Sequence, residues 1–300
     1  MNEVVIVGSV ALDTIDGPGG HAGDALGGSA SYAAYSASFF SRACIIACIG
    51  PDFPAAAKKV FDGRNIDLTG LETVPGTTFR WSGKYAKGFV TRETMKLDLG
   101  VFAGFKPAIR SALPESSILF LANIDPDLQM DVLEKAGGKA LVATDTIDHW
   151  IRAKGDVLRK ALARTDIFFL NDEEARLISG EDNLVRAGKS IMAMGPKFVV
   201  LKKGEHGAML FSASGISVVP ALPLEDFRDP TGAGDTFAGA MLGFMAREGK
   251  RDLDTMRLAM AHATVMSSFV VEDFSMERLR RVTAADMGER MDRLRELARF

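Results

Sequence analysis

The stretch Asp-Pro-Thr-Gly-Ala-Gly-Asp-Thr-Phe-Ala-Gly-Ala, residues 229–240, decides how the rest of the chain is interpreted. A proline and two glycines stand where a run of small and apolar residues begins, and that run predicts a buried helix. The first turn of this helix would consist of Gly232, Ala233, Gly234 and Asp235. A first turn carries unpaired N–H groups and the positive end of the helix dipole, which suit a phosphate or a developing anion.

Asp235 is a carboxylate placed among these anion-binding donors. One interpretation is an N-cap aspartate, which stabilises a helix by about 0.5–2 kcal/mol. The other interpretation is a general base beside an anion hole, where it would deprotonate a hydroxyl that attacks a phosphate. The pattern of these residues leaves both interpretations open.

Composition and charge limit the classes of function. The chain has 300 residues, of which 47% are hydrophobic and 25% charged, as is typical of a globular protein. Its 36 basic and 39 acidic residues give a net charge of −3 without a long basic run, which argues against a nucleic-acid partner. The apolar segment 1–12 has no basic leader and predicts a first strand, and no apolar run reaches the length of about 18 residues that suggests a membrane helix. We therefore expect a cytoplasmic protein with no membrane segment.

The cysteine positions point to packing. Cys44 and Cys48 lie in one predicted strand, on the same face and about 13 Å apart, which is too far for a disulfide. The two cysteines and four histidines show no metal-binding spacing. We expect two buried thiols that are not bridged.

Strand and helix patterns alternate along most of the chain, which predicts an α/β fold with a mainly parallel sheet. Strands are expected at 4–9, 43–50, 117–123, 140–145, 166–170, 197–202 and 207–211, and helices at 30–40, 55–65, 127–136, 153–163, 182–194, 253–269 and 284–299. Residues 73–99 alternate polar with aromatic or β-branched side chains and predict antiparallel strands that leave the main sheet. With residues 14–25 they would form a small second sheet, or a plain surface hairpin. The predicted core is 1–13, 26–71 and 101–300, and the small sheet is 14–25 and 72–100.

Asp13 follows the first predicted strand. In open α/β sheets ligands bind outside the carboxyl ends of the strands. A carboxylate at this position could accept hydrogen bonds from two vicinal hydroxyls of a sugar or ribose. A turn-capping aspartate is the alternative.

Two stretches resemble signatures of the ribokinase-like (PfkB) carbohydrate and nucleoside kinases. Residues 229–240 resemble the C-terminal signature, and Gly27-Gly28-Ser29 resembles the N-terminal di-glycine signature, whose backbone lies against the substrate. The resemblance covers nearly the whole chain. It implies a ribokinase-like three-layer α/β/α core with a small β-sheet lid inserted in the chain. It also implies that Asp235 is the catalytic base and that the amides of Gly232, Ala233 and Gly234 hold the transferring phosphoryl group.

The same resemblance implies ATP and Mg²⁺ as cofactors. Asn171 and Glu174 match an Asn-x-x-Glu motif that organises Mg²⁺ and phosphate through water, although an acidic helix N-terminus is an alternative interpretation. Lys203, Gly204 and Gly207 match the turn beside the nucleotide, and an ordinary hairpin is the alternative. His262 falls where family members line the adenine site, or it is a core histidine.

The chain departs from the family pattern at several positions. Tyr32 stands where an asparagine usually binds the sugar, so it would narrow the pocket, stack on a ring or pack. Asn123 lies near the position expected for another substrate contact. Asp229 and Thr231 match positions of a monovalent-cation site, but residues 272–275 depart from the usual glycine-containing loop, so activation by K⁺ is left open.

The resemblance implies phosphoryl transfer from ATP to an alcohol, with a sugar as the first choice of substrate. A nucleoside kinase is the alternative, because Tyr32, Phe79 and Trp81 could stack on a base. A non-catalytic binding protein is disfavoured by the intact Asp235, and residues 8–11 lack the further glycines of a dinucleotide-binding fingerprint. Since a two-stranded ribbon is marginal in water, we expect a homodimer through the lid, with a monomer whose lid folds back as the alternative.

Overall fold

The computed structural model describes residues 2–89, 92–109, 113–137 and 139–299. The expected core and lid segments also include residues 1, 90, 91, 110–112, 138 and 300, which lie outside the described residues. The strands, in chain order, are β1 (Glu3–Val7), β2 (Ala11–Gly17), β3 (Gly20–Gly27), β4 (Arg42–Ile49), β5 (Ile66–Thr73), β6 (Arg80–Tyr85), β7 (Arg92–Asp98), β8 (Ile118–Leu121), β9 (Leu141–Thr144), β10 (Ile167–Asn171), β11 (Phe198–Lys202), β12 (Ala208–Ser212) and β13 (Gly215–Val219).

Strands and helices alternate from β8 to α5, and three helices follow β13 among the described residues. In chain order the helices are α1 (Ser29–Ala37), α2 (Ala55–Lys58), α3 (Pro126–Lys135), α4 (Asp148–Leu162), α5 (Asp172–Ser179), α6 (Leu184–Met192), α7 (Ala233–Glu248), α8 (Leu253–Val270) and α9 (Ala284–Leu297). No helix in the described ranges is both long and apolar enough to span a membrane.

A large sheet forms the centre of the core, with the order β13-β12-β11-β10-β9-β8-β1-β4-β5 among the described strands. The pairs from β5 to β11 are parallel, and β12 and β13 add an antiparallel edge. Val4 and Ile6 of β1 pack in the apolar cluster that includes α1, α7 and α8, whereas Val5 and Val7 pack with α3 on the opposite face. A strand buried on both faces explains its continuous apolar run. The expected three-layer α/β/α core is confirmed.

A second, smaller sheet has the order β3-β2-β6-β7. The pairs β2–β3 and β6–β7 are antiparallel, which confirms the antiparallel strands expected within residues 73–99. The pair that joins the two hairpins, β2 with β6, is parallel, because β2 follows β1 and β6 follows β5, and both leave the carboxyl ends of parallel strands in the same direction. Asp13 lies inside β2 of this sheet, whereas the sequence placed it at the end of a core segment.

Three local predictions differ from the structure. The helix expected at 55–65 is only α2 and a following 3-10 turn at Lys59–Phe61, and the chain then turns at Gly63 with φ +73°. The short helix α5 was offered only as an alternative interpretation of the acidic motif at Asn171 and Glu174, and the exposed edge strand β13 was not predicted. The cysteine prediction is confirmed in part, because Cys44 and Cys48 face the same apolar cluster and no disulfide joins them, but Cys48 is buried whereas Cys44 is only partly buried.

Candidate active site

The start of α7 has the geometry expected of an anion site. Gly232 precedes the helix in the left-handed region, with φ 76° and ψ 1°, and α7 begins at Ala233. The Ala233 N–H donates to the carbonyl of Pro230 at 3.1 Å, and the Thr236 N–H donates to the carbonyl of Gly232 at 2.8 Å. The amides of Gly234 and Asp235 remain as the first-turn donors for an anion. Ala233 is therefore a weaker candidate for this role than the sequence suggested.

The ring of Tyr32 packs against this turn. A β carbon built on Gly232 would stand 2.5 Å from three atoms of the Tyr32 ring, so the ring and the glycine backbone are in close contact. The side chain is 1% exposed, and its hydroxyl has no hydrogen-bond partner among the described residues. Burial raises the pKa of Tyr32 well above its usual value, and the charges of Asp13, Asp229 and Asp235 raise it further. The phenol is therefore buried within the electrostatic influence of three carboxylates.

Asp13 and the di-glycine stretch form a second part of the site. A β carbon on Gly27 would lie 1.9 Å from the Asp13 carboxylate, so only glycine allows this contact. Gly28 has φ 92°, and Ser29 exchanges hydrogen bonds with Ser9, at 3.1 Å from Ser29 N–H to Ser9 Oγ and 3.2 Å in return. Burial raises the pKa of Asp13 to about 8, with Asp229 and Asp235 contributing.

A lysine that the sequence analysis did not single out lies beside the first turn of α7. Lys202 ends β11, and its ammonium pairs with Asp145 at 2.8 Å. A β carbon on Gly234 would lie 3.1 Å from the Lys202 Nζ, which places this charge beside the first turn of α7. Lys202 has a raised pKa because Asp145 and Glu174 outweigh the effect of burial, so it stays protonated near neutral pH. The sequence did contain a signal for this residue. Lys202 stands at the carboxyl end of a buried parallel strand, directly before the Lys203–Gly207 turn, where ligands bind in such sheets.

Asp235 is half-buried in the first turn of α7. Burial raises its pKa to about 7, and the charge of Asp145 adds to the rise, while Lys202 and Arg92 oppose it. A carboxyl with this pKa can take up a proton near neutral pH.

Asn171 and Glu174 form a capping box at the start of α5. The Glu174 N–H donates to Asn171 Oδ1 at 2.8 Å, and the Asn171 N–H donates to Glu174 Oε2 at 2.7 Å. The alternative interpretation as a helix N-terminus thus describes their contacts in this structure. Burial raises the pKa of Glu174 to about 8, although Lys202 lowers it, and Asp145 also raises it. The pair therefore lies beside the anion site as well.

The Lys203–Gly207 turn joins β11 to β12 next to Lys202. The Lys203 N–H donates to the carbonyl of Gly207 at 2.8 Å. A β carbon on Gly204 would meet no atom within 4 Å, whereas one on Gly207 would lie 2.1 Å from the carbonyl of Val219. The backbone at Gly204 is thus open to a ligand, and Gly207 is required for packing.

The structure does not bring His262 together with these residues. Its ring stacks on Phe244 at a centroid distance of 4.4 Å and meets Phe40 edge-on at 5.4 Å. Burial and the charge of Arg247 lower the pKa of His262 to about 4. A hydrogen bond from α8 to the signature is made by Ser267, whose hydroxyl donates to the carbonyl of Ala233 at 3.1 Å. The contacts of His262 are those of a core histidine.

Asn123, Asp229 and Thr231 have defined partners. Asn123 Oδ1 accepts a hydrogen bond from Trp150 Nε1 at 3.0 Å. Asp229 Oδ1 accepts one from the Thr231 N–H at 2.9 Å, and the Thr231 hydroxyl lies 2.9 Å from the hydroxyl of Tyr85. Asp229 Oδ2 is buried without a hydrogen-bond partner in the described part of the chain.

The donor set near Lys202 suits a hydrated cation. Within the described ranges no group of three or more His, Cys, Asp or Glu side chains is arranged to hold a metal directly. Mg²⁺ usually keeps several waters and binds through one or two carboxylates together with phosphate oxygens. Glu174, Asp145 and the Asn171 amide fit an ion of this kind that arrives with a nucleotide.

Comparison with known proteins identifies the family. The family model of the pfkB family carbohydrate kinases matches residues 1–268, and the chain belongs to that family. It is a phosphotransferase with a hydroxyl acceptor. It is 28% identical over 268 residues to a cytidine kinase of Thermococcus kodakarensis, covering 88% of this chain and 95% of that protein. A fructokinase of Klebsiella pneumoniae is 30% identical over 146 residues, covering 47% and 45% of the two chains.

Solved structures show the same fold. The nucleoside kinase of Methanocaldococcus jannaschii, an archaeal member of the ribokinase family, has a TM-score of 0.79 at 19% identity, with 98% of this chain and 99% of that chain covered. A putative ribokinase II from E. coli in complex with ATP and Mg²⁺ has a TM-score of 0.78 at 20% identity, with 98% and 100% covered. The expected ribokinase-like fold is confirmed.

Proposed function

We propose that this enzyme transfers the γ-phosphoryl group of ATP to a hydroxyl on the pentose of a nucleoside, with Asp235 as the general base. The observation that carries the proposal is the position of Asp235 at the start of α7. Lys202 lies next to Gly234, one residue before Asp235, and the charge of Asp235 contributes to the raised pKa of the buried Asp13 carboxyl. These observations support an anion site and a hydroxyl-binding carboxylate near one proton acceptor.

Different residues would carry out proton transfer and charge stabilisation during phosphoryl transfer. Asp235 takes the proton of the acceptor hydroxyl while the hydroxyl oxygen forms a bond to the γ-phosphorus of ATP. The bond from that phosphorus to the β,γ-bridging oxygen breaks, and ADP is released. The amides of Gly234 and Asp235 and the ammonium of Lys202 stabilise charge on the phosphoryl oxygens. Catalysis is then mainly positioning and electrostatic stabilisation.

ATP and Mg²⁺ are supported as cofactors by the residues around Lys202. The open backbone at Gly204 provides a surface for the nucleotide next to the phosphate site. Asn171 and Glu174 would hold Mg²⁺ through its water shell, and the ion supplies neutralisation of phosphate charge when the nucleotide is bound. The role of His262 at adenine has no support from its contacts.

A nucleoside acceptor is supported by the small sheet and by the relatives. Asp13 and Trp81 are paired in register on β2 and β6, so their side chains lie on the same face of the sheet. The half-buried Trp81 ring could stack on a base while Asp13 binds the vicinal hydroxyls of the pentose. The cytidine kinase is similar over nearly its whole length, which favours a nucleoside over the free sugar that the sequence suggested first. The partial match to a fructokinase supports a sugar as the second candidate.

The acceptor can be identified by assaying ADP release with ATP and a panel of nucleosides, ribose and hexoses. We expect a nucleoside to give the highest kcat/KM. The Trp81→Ala variant should raise the KM of that nucleoside and leave the KM of ATP unchanged. Preference for a free hexose, with no effect of Trp81→Ala, would contradict the nucleoside assignment and leave the kinase assignment intact.

A monovalent-cation site at Asp229 and Thr231 stays a proposal. The unpartnered Asp229 Oδ2 supports it, whereas Glu272 and Asp273 in the adjoining loop are held by arginines, namely Arg278, Arg290, Arg228 and Arg281. A titration of activity with KCl against choline chloride tests the site. Activation by K⁺ alone would support it, and equal activity in both salts would remove it.

We also propose a homodimer through the small sheet. Its outer strand β7 is exposed along nearly its whole length, and Met95 and Leu97 are 58% and 54% exposed. A second copy of the same sheet would cover these side chains. Sedimentation at micromolar concentration should show a species of twice the 32.2 kDa chain mass, and an active species at the chain mass would contradict the dimer. A cytoplasmic location remains a prediction.

A further inference from the structure

Tyr85 connects the small sheet with the signature at residues 229–240. It ends β6, and its side chain is buried. Its hydroxyl oxygen lies 2.9 Å from Thr231 Oγ1, which is 146 positions further along the chain. Thr231 stands directly before Gly232, in the turn that leads into α7. This hydrogen bond therefore links the small sheet to the turn that precedes the anion site.

Other contacts hold the same two parts of the molecule together. The ring of Phe89 meets the ring of Phe227 edge-on at a centroid distance of 4.7 Å, and it lies 6.0 Å from the ring of Tyr85. Between β2 and β3, Gly19 packs closely on the backbone of Arg228, since a β carbon there would lie 2.0 Å from the Arg228 carbonyl oxygen. Because these contacts do not use the Tyr85 hydroxyl, its removal should leave the sheet in place.

The turn before α7 depends on restraints from outside the signature. Gly232 has φ 76°, and glycine adopts more backbone conformations than other residues. The hydrogen bond from the buried Tyr85 restrains Thr231, the residue before this glycine. The amides of Gly234 and Asp235 follow within the next four residues, so a shift of the turn moves them. A misplacement of about 1 Å at a reacting centre can lower a rate about 10²-fold.

We propose that Tyr85 is a positioning residue for phosphoryl transfer, whose hydrogen bond to Thr231 fixes the first-turn amides of α7 relative to the small sheet. Trp81 lies on the same strand, and its ring is the group that stacks on the acceptor in the proposed function. One strand thus contacts both the acceptor and the turn that leads to the phosphoryl site. The inference rests on the proposed function, because it assigns the acceptor to this sheet.

The test compares kcat and KM of wild type, Tyr85→Phe, Thr231→Val, Thr231→Ser and the control Tyr35→Phe. Tyr35 is a buried tyrosine of α1 whose ring packs against Phe39. We expect kcat to fall by about 3- to 10-fold in Tyr85→Phe and in Thr231→Val, with the KM of ATP and of the acceptor unchanged. Thr231→Ser keeps the hydroxyl and should keep most of the wild-type kcat, as should Tyr35→Phe. A wild-type kcat in Tyr85→Phe would overturn the inference.

The double variant Tyr85→Phe/Thr231→Val tests whether the two hydroxyls act through each other. If Tyr85 acts through Thr231, the double variant should have the same kcat as either single variant, because the hydrogen bond is already lost. If the two decreases in kcat multiply, the hydroxyls act independently and the inference is overturned. Tyr85→Phe leaves Asp229 and the Thr231 hydroxyl in place, so its effect is separate from the proposed cation site.

Hydrogen exchange of the free protein gives a second measurement that does not depend on activity. The amides of residues 231–236 should exchange about 3- to 10-fold faster in Tyr85→Phe than in wild type and in Tyr35→Phe, because the turn opens more easily. Equal exchange in the three proteins would overturn the inference. Faster exchange in Tyr85→Phe, together with no phosphorylation of any acceptor by wild type, would support the restraint on the turn and contradict the proposed function.

Discussion

The ring of Tyr32 packs against the backbone of Gly232, one residue before α7 begins. Small residues continue this close contact along the two helices, since a β carbon on Gly239 would lie 2.1 Å from the carbonyl of Ala33. The glycines of α7 therefore let it pack closely on α1. This packing fixes the start of α7, and with it Asp235, relative to α1.

Gly232→Ala should damage both stability and activity. The added methyl would meet the Tyr32 ring at 2.5 Å, and alanine is strained at φ 76°. We expect the free energy of unfolding to fall by about 1–3 kcal/mol and kcat to fall with it. Gly288→Ala is the control, because a β carbon there meets no atom within 4 Å and lies in α9. That change should stabilise the protein slightly, and equal effects of both substitutions would contradict the packing argument.

Tyr32→Phe should separate substrate binding from stability. The hydroxyl is buried without a partner in the described structure, so its removal should leave the free energy of unfolding unchanged or raise it. If the phenol binds the acceptor, the KM of the acceptor should rise by about 3- to 10-fold, with no change in the KM of ATP. A clear loss of stability in the free protein would show that the hydroxyl has a partner.

The free protein should lose stability as the pH rises from about 5 to about 8. The pKa values of Asp13 and Glu174 are about 8 and that of Asp235 about 7 because these carboxyls are buried, so the folded state binds their protons more tightly than the unfolded state. This contribution to stability is full below pH 4 and is lost as the pH passes the folded-state values. Glu174→Gln removes one such group, so its stability relative to wild type should increase with pH, at most by about 1.4 kcal/mol per unit. Urea unfolding across this range measures the slope, and identical slopes would contradict the burial of Glu174.

Lys202→Gln should lower kcat by about 10²-fold, because a buried donor at the phosphoryl site is removed. The KM of the acceptor should change little. Lys189→Gln, an exposed lysine of α6, is the matched control. A kcat within about threefold of the wild-type value corresponds to a change of about 0.7 kcal/mol in the activation free energy. Such a small change would exclude Lys202 from the anion site.

The sequence predicted what depends on local patterns. Residues 229–240 predicted a helix start, which is α7, and the apolar periodicity predicted the parallel core. Contacts between segments that are distant in the chain could not be predicted from these local patterns. Tyr32 beneath Gly232, Lys202 beside Gly234 and the parallel pairing of β2 with β6 each join segments far apart in the chain. His262 is a case in which the resemblance to the family misled the prediction. Its position suggested a contact with the ligand, but its ring packs against Phe40 and Phe244.

The turnover of Asp235→Asn with ATP and the preferred acceptor tests the central claim most directly. Asparagine keeps the shape of the side chain but cannot accept the proton, so we expect kcat to fall by about 10²–10⁴-fold, while ATP binding by calorimetry stays near wild type. Asp156→Asn, whose carboxylate is 96% exposed on α4, should have wild-type turnover. Wild-type kcat in Asp235→Asn would contradict the assignment of Asp235 as the base.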